Sequence, residues 1–218
     1  MPVNTAKWKE IITGLGEKAA LVAVSKTKPL EDLQEMYALG QRDFGENYVQ
    51  ELIEKKDRLP QDIRWHFIGH LQTNKVKEIV PFVHLIQGVD SAKLLKEIQK
   101  QAAKRNRTLE VLLQVHIAQE ETKFGLDEPE LAGIVAASSE YSAVAIRGLM
   151  GMASNTDDPE TIRREFRHLH TLFEKYRTQQ ASNPSFSVLS MGMSGDYQLA
   201  LSEGSNMVRI GSLLFGAR

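Results

Sequence analysis

Lys26 is the residue of this chain best suited to covalent chemistry. It ends the run Leu21-Val22-Ala23-Val24-Ser25-Lys26, where an apolar, β-branched stretch gives way abruptly to an amine. Pro29 then opens a helical pattern of Leu30, Leu33, Met36 and Tyr37. A buried strand that delivers a lysine to its carboxyl end holds the amine in a dry, fixed place. There it can lose its proton and attack an aldehyde or ketone to form a Schiff base. The same pattern also describes a surface lysine just past a strand end, and this segment alone leaves both readings open.

Small hydroxyl and glycine positions gather near the other end of the chain. Ser190 and Ser194 lie in Ser190-Met191-Gly192-Met193-Ser194, and Gly211 and Ser212 follow Met207-Val208-Arg209-Ile210. Glycines let backbone N–H groups approach an anion and serines donate to it, so the two loops suit a phosphate. Turns and helix caps use the same residue types, which is the alternative for either loop alone. Arg209 is a permanent charge among apolar neighbours and needs a partner. No acidic residue lies in its strand, so that partner is an inter-strand carboxylate or a ligand. Other signals point away from chemistry. His66 and His70 are four apart, but no Glu follows His66 and Gly69 argues against a helix, so the zinc pattern fails and no metal is expected. Arg163 to His170 interleaves acids with bases and reads as a solvated helix face. Gly14-Leu15-Gly16 lacks the third glycine and the preceding strand of a dinucleotide fingerprint.

The elements that must position these residues alternate. After an amphipathic helix from about Thr5 to Gly14, strands are expected at Leu21–Ser25, Asp43–Gly45, Trp65–Ile68, Val83–Gln87, Val111–His116, Ala145–Leu149, Ser187–Ser190 and Met207–Ile210. Helical stretches begin near Leu30, Glu46, Asn74, Ser91, Glu128, Pro159 and Gly195. Asp158-Pro159-Glu160 marks one start well, and Asp127-Glu128-Pro129-Glu130 and Ser91 are further plausible caps. Strict alternation implies parallel strands, and eight such units predict a (β/α)8 TIM barrel with an extra N-terminal helix. A doubly wound open sheet is the alternative. No linker, low-complexity tract or fixed-period repeat divides the sequence, so residues 1–218 are expected to form one domain.

Composition sets the outer bounds. With 218 residues, 42% of them hydrophobic and 25% charged, the chain can bury a full core. It has no cysteine, which excludes disulfides, thiolate metal sites and a cysteine nucleophile. The N-terminus carries charges where a signal peptide needs an apolar block, and no apolar run approaches the ~20 residues of a membrane span. The formal charge of -1 gives no global attraction to nucleic acid or anionic lipid. A soluble, cytoplasmic protein is expected. No apolar stripe is left over once barrel and helices are assigned, so a monomer is expected too.

A lysine after the first strand, a phosphate cradle after the last two and an arginine on the eighth suggest pyridoxal 5'-phosphate (PLP). In Ala23-Val24-Ser25-Lys26-Thr27-Lys28, Phe44-Gly45-Glu46-Asn47, Trp65-His66-Phe67-Ile68-Gly69-His70-Leu71-Gln72, Leu189-Ser190-Met191-Gly192-Met193-Ser194 and Val208-Arg209-Ile210-Gly211 the chain resembles the pyridoxal phosphate homeostasis protein family, single-domain relatives of the alanine racemase barrel. The resemblance covers essentially the whole chain. It implies an internal aldimine on Lys26, phosphate held by Ser190, Ser194, Gly211 and Ser212, and Arg209 toward the pyridine nitrogen. Asn47 and His66 would flank the ring. Ser212 departs from the threonine expected in many relatives but keeps the hydroxyl.

The resemblance further implies a carrier or regulator of cofactor supply with no established catalysis, handing PLP to transient apoenzyme partners. Physical reasoning agrees with it. Racemisation needs an acid or base on each face of the carbanion, the second supplied in racemases by a C-terminal β-domain that is not expected here. An arginine at the pyridine nitrogen also keeps the ring a poorer electron sink. A low-activity racemase or decarboxylase of the fold-type III class is the second reading. A cofactor-free Schiff-base aldolase acting on sugar phosphates, which accounts for Arg209 only loosely, is the third.

Overall fold

The computed structural model describes residues 3–179 and 185–216. Helix α1 (Thr5–Leu15) leads, capped by Asn4, whose side chain accepts from the Lys7 N–H at 3.0 Å. Strands and helices then alternate: β1 (Ala20–Val24), α2 (Leu30–Ala38), β2 (Asp43–Glu46), α3 (Val49–Lys56), β3 (Arg64–Phe67), α4 (Val76–Ile79), β4 (Leu85–Val89), α5 (Ala92–Ala103) and β5 (Leu109–Gln114). The second half continues with α6 (Glu128–Ala136), β6 (Val144–Met150), α7 (Pro159–Gln179), β7 (Val188–Ser190), α8 (Tyr197–Ser202), β8 (Met207–Ile210) and α9 (Ser212–Phe215). Neighbouring strands pair in chain order, all parallel, and β8 returns to β1 with Leu21 opposite Val208 and Val22 opposite Arg209. This closed sheet is the (β/α)8 barrel with an extra N-terminal helix that the alternation predicts.

The caps form where their residue types call for them. Asp127 and Glu130 make a reciprocal capping box on α6, Ser91 accepts from the Leu94 N–H on α5, and Asp158 accepts from the Glu160 and Thr161 N–H groups ahead of α7. Period-two alternation divides each strand between two cores. Phe44 and Phe67 point outward and are fully buried, within the core cluster that also holds Leu33 and Met36 of α2. A second, smaller cluster of Leu85, Leu112 and Met150, with Met152, Val188 and Met207 against it, fills part of the barrel interior. His66, Gln87, Ser190 and Arg209 bring polar groups into the same interior.

Several boundaries differ from expectation for identifiable reasons. Glu46 was expected to start a helix, but it closes β2, fully buried and bonded to Ser25 and Lys55, and α3 begins at Val49. β4 runs two residues later than Val83–Gln87. Val83 belongs to the turn after α4, its N–H donating to Ile79 at 2.9 Å, and Gly88 sits inside the strand. A Cβ at Gly88 would lie 2.6 Å from the Gly69 carbonyl, so close backbone approach requires glycine there. β5 starts two residues before Val111. The helix expected near Asn74 opens as a 3-10 turn over Thr73–Lys75, and α8 begins at Tyr197, two residues after Gly195.

Candidate functional site

The carboxyl ends of the strands surround a cavity of about 250 Å³. Lys26, Asn47, Arg209, Gly211 and Ser212 line it together, and Val24, Ile68, Met152 and Met193 give it apolar walls. The strand that delivers Lys26 is buried as its sequence requires, and the loop carrying it is clamped on both sides. The Ser25 N–H donates to Gly45 at 3.0 Å and the Ser25 hydroxyl to Glu46 Oε1 at 2.6 Å. Beyond Lys26, the Thr27 N–H donates to Glu51 Oε1 at 2.6 Å, which holds Thr27 at φ 62°, a conformation uncommon for a β-branched residue. Lys55 of α3 completes the clamp. Its Nζ donates to the Ser25 carbonyl at 2.7 Å, to Glu46 at 2.8 Å and to Glu51 at 2.6 Å. Burial pushes the Glu46 carboxyl up, and the Lys55 charge pulls against it.

Arg209 projects from β8 into the barrel. Nη1 donates to the Ser190 hydroxyl at 2.6 Å and Nη2 to the Gly151 carbonyl at 2.9 Å. Burial pushes the guanidinium down to about 10, opposed only by the Asp196 charge. The inter-strand carboxylate that the sequence allowed as its hydrogen-bond partner is therefore replaced by a hydroxyl and a carbonyl. Asn47 Oδ1 is buried with no hydrogen-bond partner among the described residues. Ser194 joins the two serine loops, its hydroxyl accepting from the Gly211 N–H at 3.2 Å.

Two expected site residues lie deeper. Ser190 was assigned to the phosphate and His66 to the ring face, yet neither lines the cavity, and Ser194, also assigned to the phosphate, is outside its lining too. Ser190 and His66 are buried within strands, Ser190 donating to Gln87 and His66 bonded to Asp43 and Gln87, so their polar atoms are already engaged. Three contributors escape a reading by motif. Lys28 lines the cavity while its Nζ donates to the Phe215 and Gly216 carbonyls at 2.9 and 3.2 Å. Gln87 is signalled only as a polar residue in an apolar strand, and Glu46 only as the second acid of the short strand Asp43–Glu46. Among the described residues no group of His, Asp and Glu is placed to hold a metal, and no helix is long and apolar enough to cross a membrane.

An amine, a buried cation and the Ser212 hydroxyl around one apolar-walled space suit a carbonyl ligand that also bears an anion. The family model for the alanine racemase N-terminal domain matches residues 4–218. The pyridoxal phosphate homeostasis protein of Aquifex aeolicus is 42% identical over 207 residues, covering 94% of this chain and 90% of that one. The chain belongs to the pyridoxal phosphate homeostasis protein family. Solved structures are similar as well. PipY of Synechococcus elongatus with PLP bound superposes with a TM-score of 0.88 at 34% identity, over 97% of this chain and 99% of that one. Alanine racemase from Bartonella henselae shares the barrel alone, with a TM-score of 0.76 at 16% identity over 59% of its length.

Proposed function

We propose that the cavity binds pyridoxal 5'-phosphate with Lys26 as its covalent anchor, and that the chain serves cofactor supply without turnover of its own. When bound, PLP supplies an aldehyde that condenses with primary amines and an electron-poor ring. The residues fit it. The observation that carries the reading is one cavity uniting the Lys26 side chain, the buried Arg209 guanidinium and the Asn47 Oδ1 acceptor, where among the described residues the guanidinium bonds only to neutral groups and Oδ1 has no hydrogen-bond partner. Ser212 and Ser194 would donate to the phosphate, with the Gly211 backbone close by, and Arg209 would face the pyridine nitrogen. The Glu46–Lys55–Glu51 clamp would hold the Lys26 loop in place, and the apolar walls would exclude water from the amine.

What surrounds the space supports the reading without turnover. Among the described residues no His, Tyr, Asp or Glu lines the cavity, so the proton donor or acceptor that racemisation needs on the second face is missing. Lys28 is the observation favouring the alternative, a low-activity racemase or decarboxylase, since it is a second amine in the cavity; its bonds to the Phe215 and Gly216 carbonyls count against that role. On the proposed reading the chain acts as a monomer that passes the cofactor to apoenzymes.

Borohydride reduction of the purified protein with PLP, followed by peptide mass spectrometry, tests the anchor. The label should fall on Lys26, and Lys26→Ala should lose it with the absorbance band while its circular dichroism is unchanged. Labelling of Lys28 instead would sink the assignment. A colourless protein that takes up no PLP would favour the aldolase reading, and racemisation or decarboxylation of any amino acid in a panel at saturating cofactor would favour the enzyme.

A further inference from the structure

We propose that Asp43, His66, Gln87 and Ser190 form a one-way hydrogen-bond relay across the barrel interior that positions Arg209 for its ligand. The relay draws one side chain from each of β2, β3, β4 and β7 and ends on β8. Arg209 Nη1 lies 2.6 Å from Ser190 Oγ, which lies 2.7 Å from Gln87 Oε1. Gln87 Nε2 lies 3.0 Å from His66 Nδ1, and His66 Nε2 lies 3.0 Å from Asp43 Oδ1. Ser190, Gln87, His66 and Arg209 are all buried.

The two ends fix every direction between them. A guanidinium only donates, so Ser190 Oγ accepts from Arg209 and its own proton points to Gln87 Oε1. That sets the Gln87 amide, whose nitrogen must then donate to His66 Nδ1. The imidazole is left with its proton on Nε2, pointing at Asp43, a carboxylate that only accepts. All four bonds run the same way, and aligned bonds in a low-dielectric interior polarise one another. The chain also explains why this layer is polar when Leu85, Leu112 and Met150 fill the neighbouring interior with hydrocarbon. A buried cation needs acceptors, each hydroxyl or amide acceptor brings a donor that needs another, and the sequence of bonds stops at a group that only accepts, here an anion. Asp43 is that anion, partly exposed and held by Arg64. The Gln87 amide is further braced by Met207 Sδ at 3.3 Å. With Nη1 on Ser190 and Nη2 on Gly151, the guanidinium plane is fixed before any ligand arrives.

Two measurements on the ligand-free protein test the relay, and a third rests on the proposed cofactor. Nitrogen-15 NMR of labelled histidine should find His66 with its proton on Nε2 and Nδ1 accepting; the opposite tautomer overturns the relay. Rotation of the Arg209 guanidinium about Cζ–Nε, read from its Hη resonances, should be slow in the wild type and about tenfold faster in Ser190→Ala and Gln87→Met. Unchanged rotation overturns the positioning role. In PLP titrations the same two variants should raise Kd about tenfold and shift the bound spectrum, while Ser190→Thr, which keeps the hydroxyl, stays within about twofold. In an Arg209→Ala background Gln87→Met should add less than about a further twofold. Equal losses in both backgrounds would mean a structural role only and overturn the proposal. Circular dichroism establishes that each variant folds, and Ser190→Ala, the smaller change, decides the outcome should Gln87→Met fail to fold. If the wild type takes up no PLP, the proposed function fails while the two ligand-free measurements still decide the relay.

Discussion

Asp43 accepts from Arg64 Nε at 2.7 Å and from His66 Nε2 at 3.0 Å. Its partial burial alone would raise the carboxyl, but these donors and the charge beside it outweigh burial and hold the group far below the ordinary carboxylate range. A carboxyl whose folded value is depressed adds stability that is fully present above its unfolded value, about 3.9, and is lost as pH falls through the folded one. Asp43→Asn removes that titration. Urea unfolding at pH values from about 7 down to 2 should show wild-type stability falling more steeply below about pH 4 than that of the variant. Parallel acid limbs would show that Asp43 is not held by these donors. At this scale Lys26 and Arg209 were legible because one ends an apolar run and the other interrupts an apolar strand. Gln87 carries the same signal in Leu85-Ile86-Gln87, but the sequence does not say which polar strand residues meet inside a closed sheet. Ser190 illustrates the cost: as the last residue of β7 it turns into the barrel, whereas one step further it would have been a loop hydroxyl.

Helix α3 does for Lys26 what no residue of its own strand can do. Glu51 and Lys55 lie four apart, one above the other on that helix, the spacing of an ordinary surface ion pair. Packing of α3 on the barrel instead buries the Lys55 stem and brings its amine to Glu46 and the Ser25 carbonyl, with Lys55 and Glu46 side chains 6% and 0% exposed. Breaking such a pair from one side leaves a charge uncompensated. Lys55→Met should therefore lower the unfolding free energy by about 3–5 kcal/mol, measured by denaturant titration. Adding Glu46→Leu should recover a large part of that, because the double variant buries no charge. If the double variant were as unstable as Lys55→Met alone, the clamp would owe its stability to the Ser25 and Glu51 contacts and not to the buried pair. The strands and most helices were legible from period and caps. The displaced limits of β4 and β5 were not, because Val83 suits a strand by type while the turn after α4 claims its N–H, and Gly88 looks like a breaker until the neighbouring backbone is seen to need the space.

Closure of the barrel brings the two ends of the chain to one place. Lys26 follows the first strand, Gly211 and Ser212 follow the last, and β1 and β8 are neighbours, so a ligand anchored at Lys26 with its phosphate on the serine loops would bridge the seam. Eightfold alternation made this neighbourhood legible in sequence once a barrel was inferred; the register that sets Val22 against Arg209 was not. Two consequences follow for the molecule as a whole. A ligand that binds only the folded barrel stabilises it by about 2.7 kcal/mol at a hundred times Kd, so PLP should raise Tm by roughly 5–10 °C. The phosphate should supply much of the affinity. Ser194 and Ser212 would each add a charge-assisted hydrogen bond of about 1.5–3 kcal/mol, so Ser194→Ala with Ser212→Ala should raise Kd for PLP by roughly two to four orders of magnitude. Pyridoxal, which lacks the phosphate, should bind both proteins alike. Titration of the two aldehydes into wild type and double variant separates this from a structural role, because Ser194 also accepts from the Gly211 N–H and so ties the loops together. Equal losses for the two aldehydes, accompanied by a lower Tm without ligand, would mean that the serines hold the seam shut and that the phosphate is bound by backbone alone.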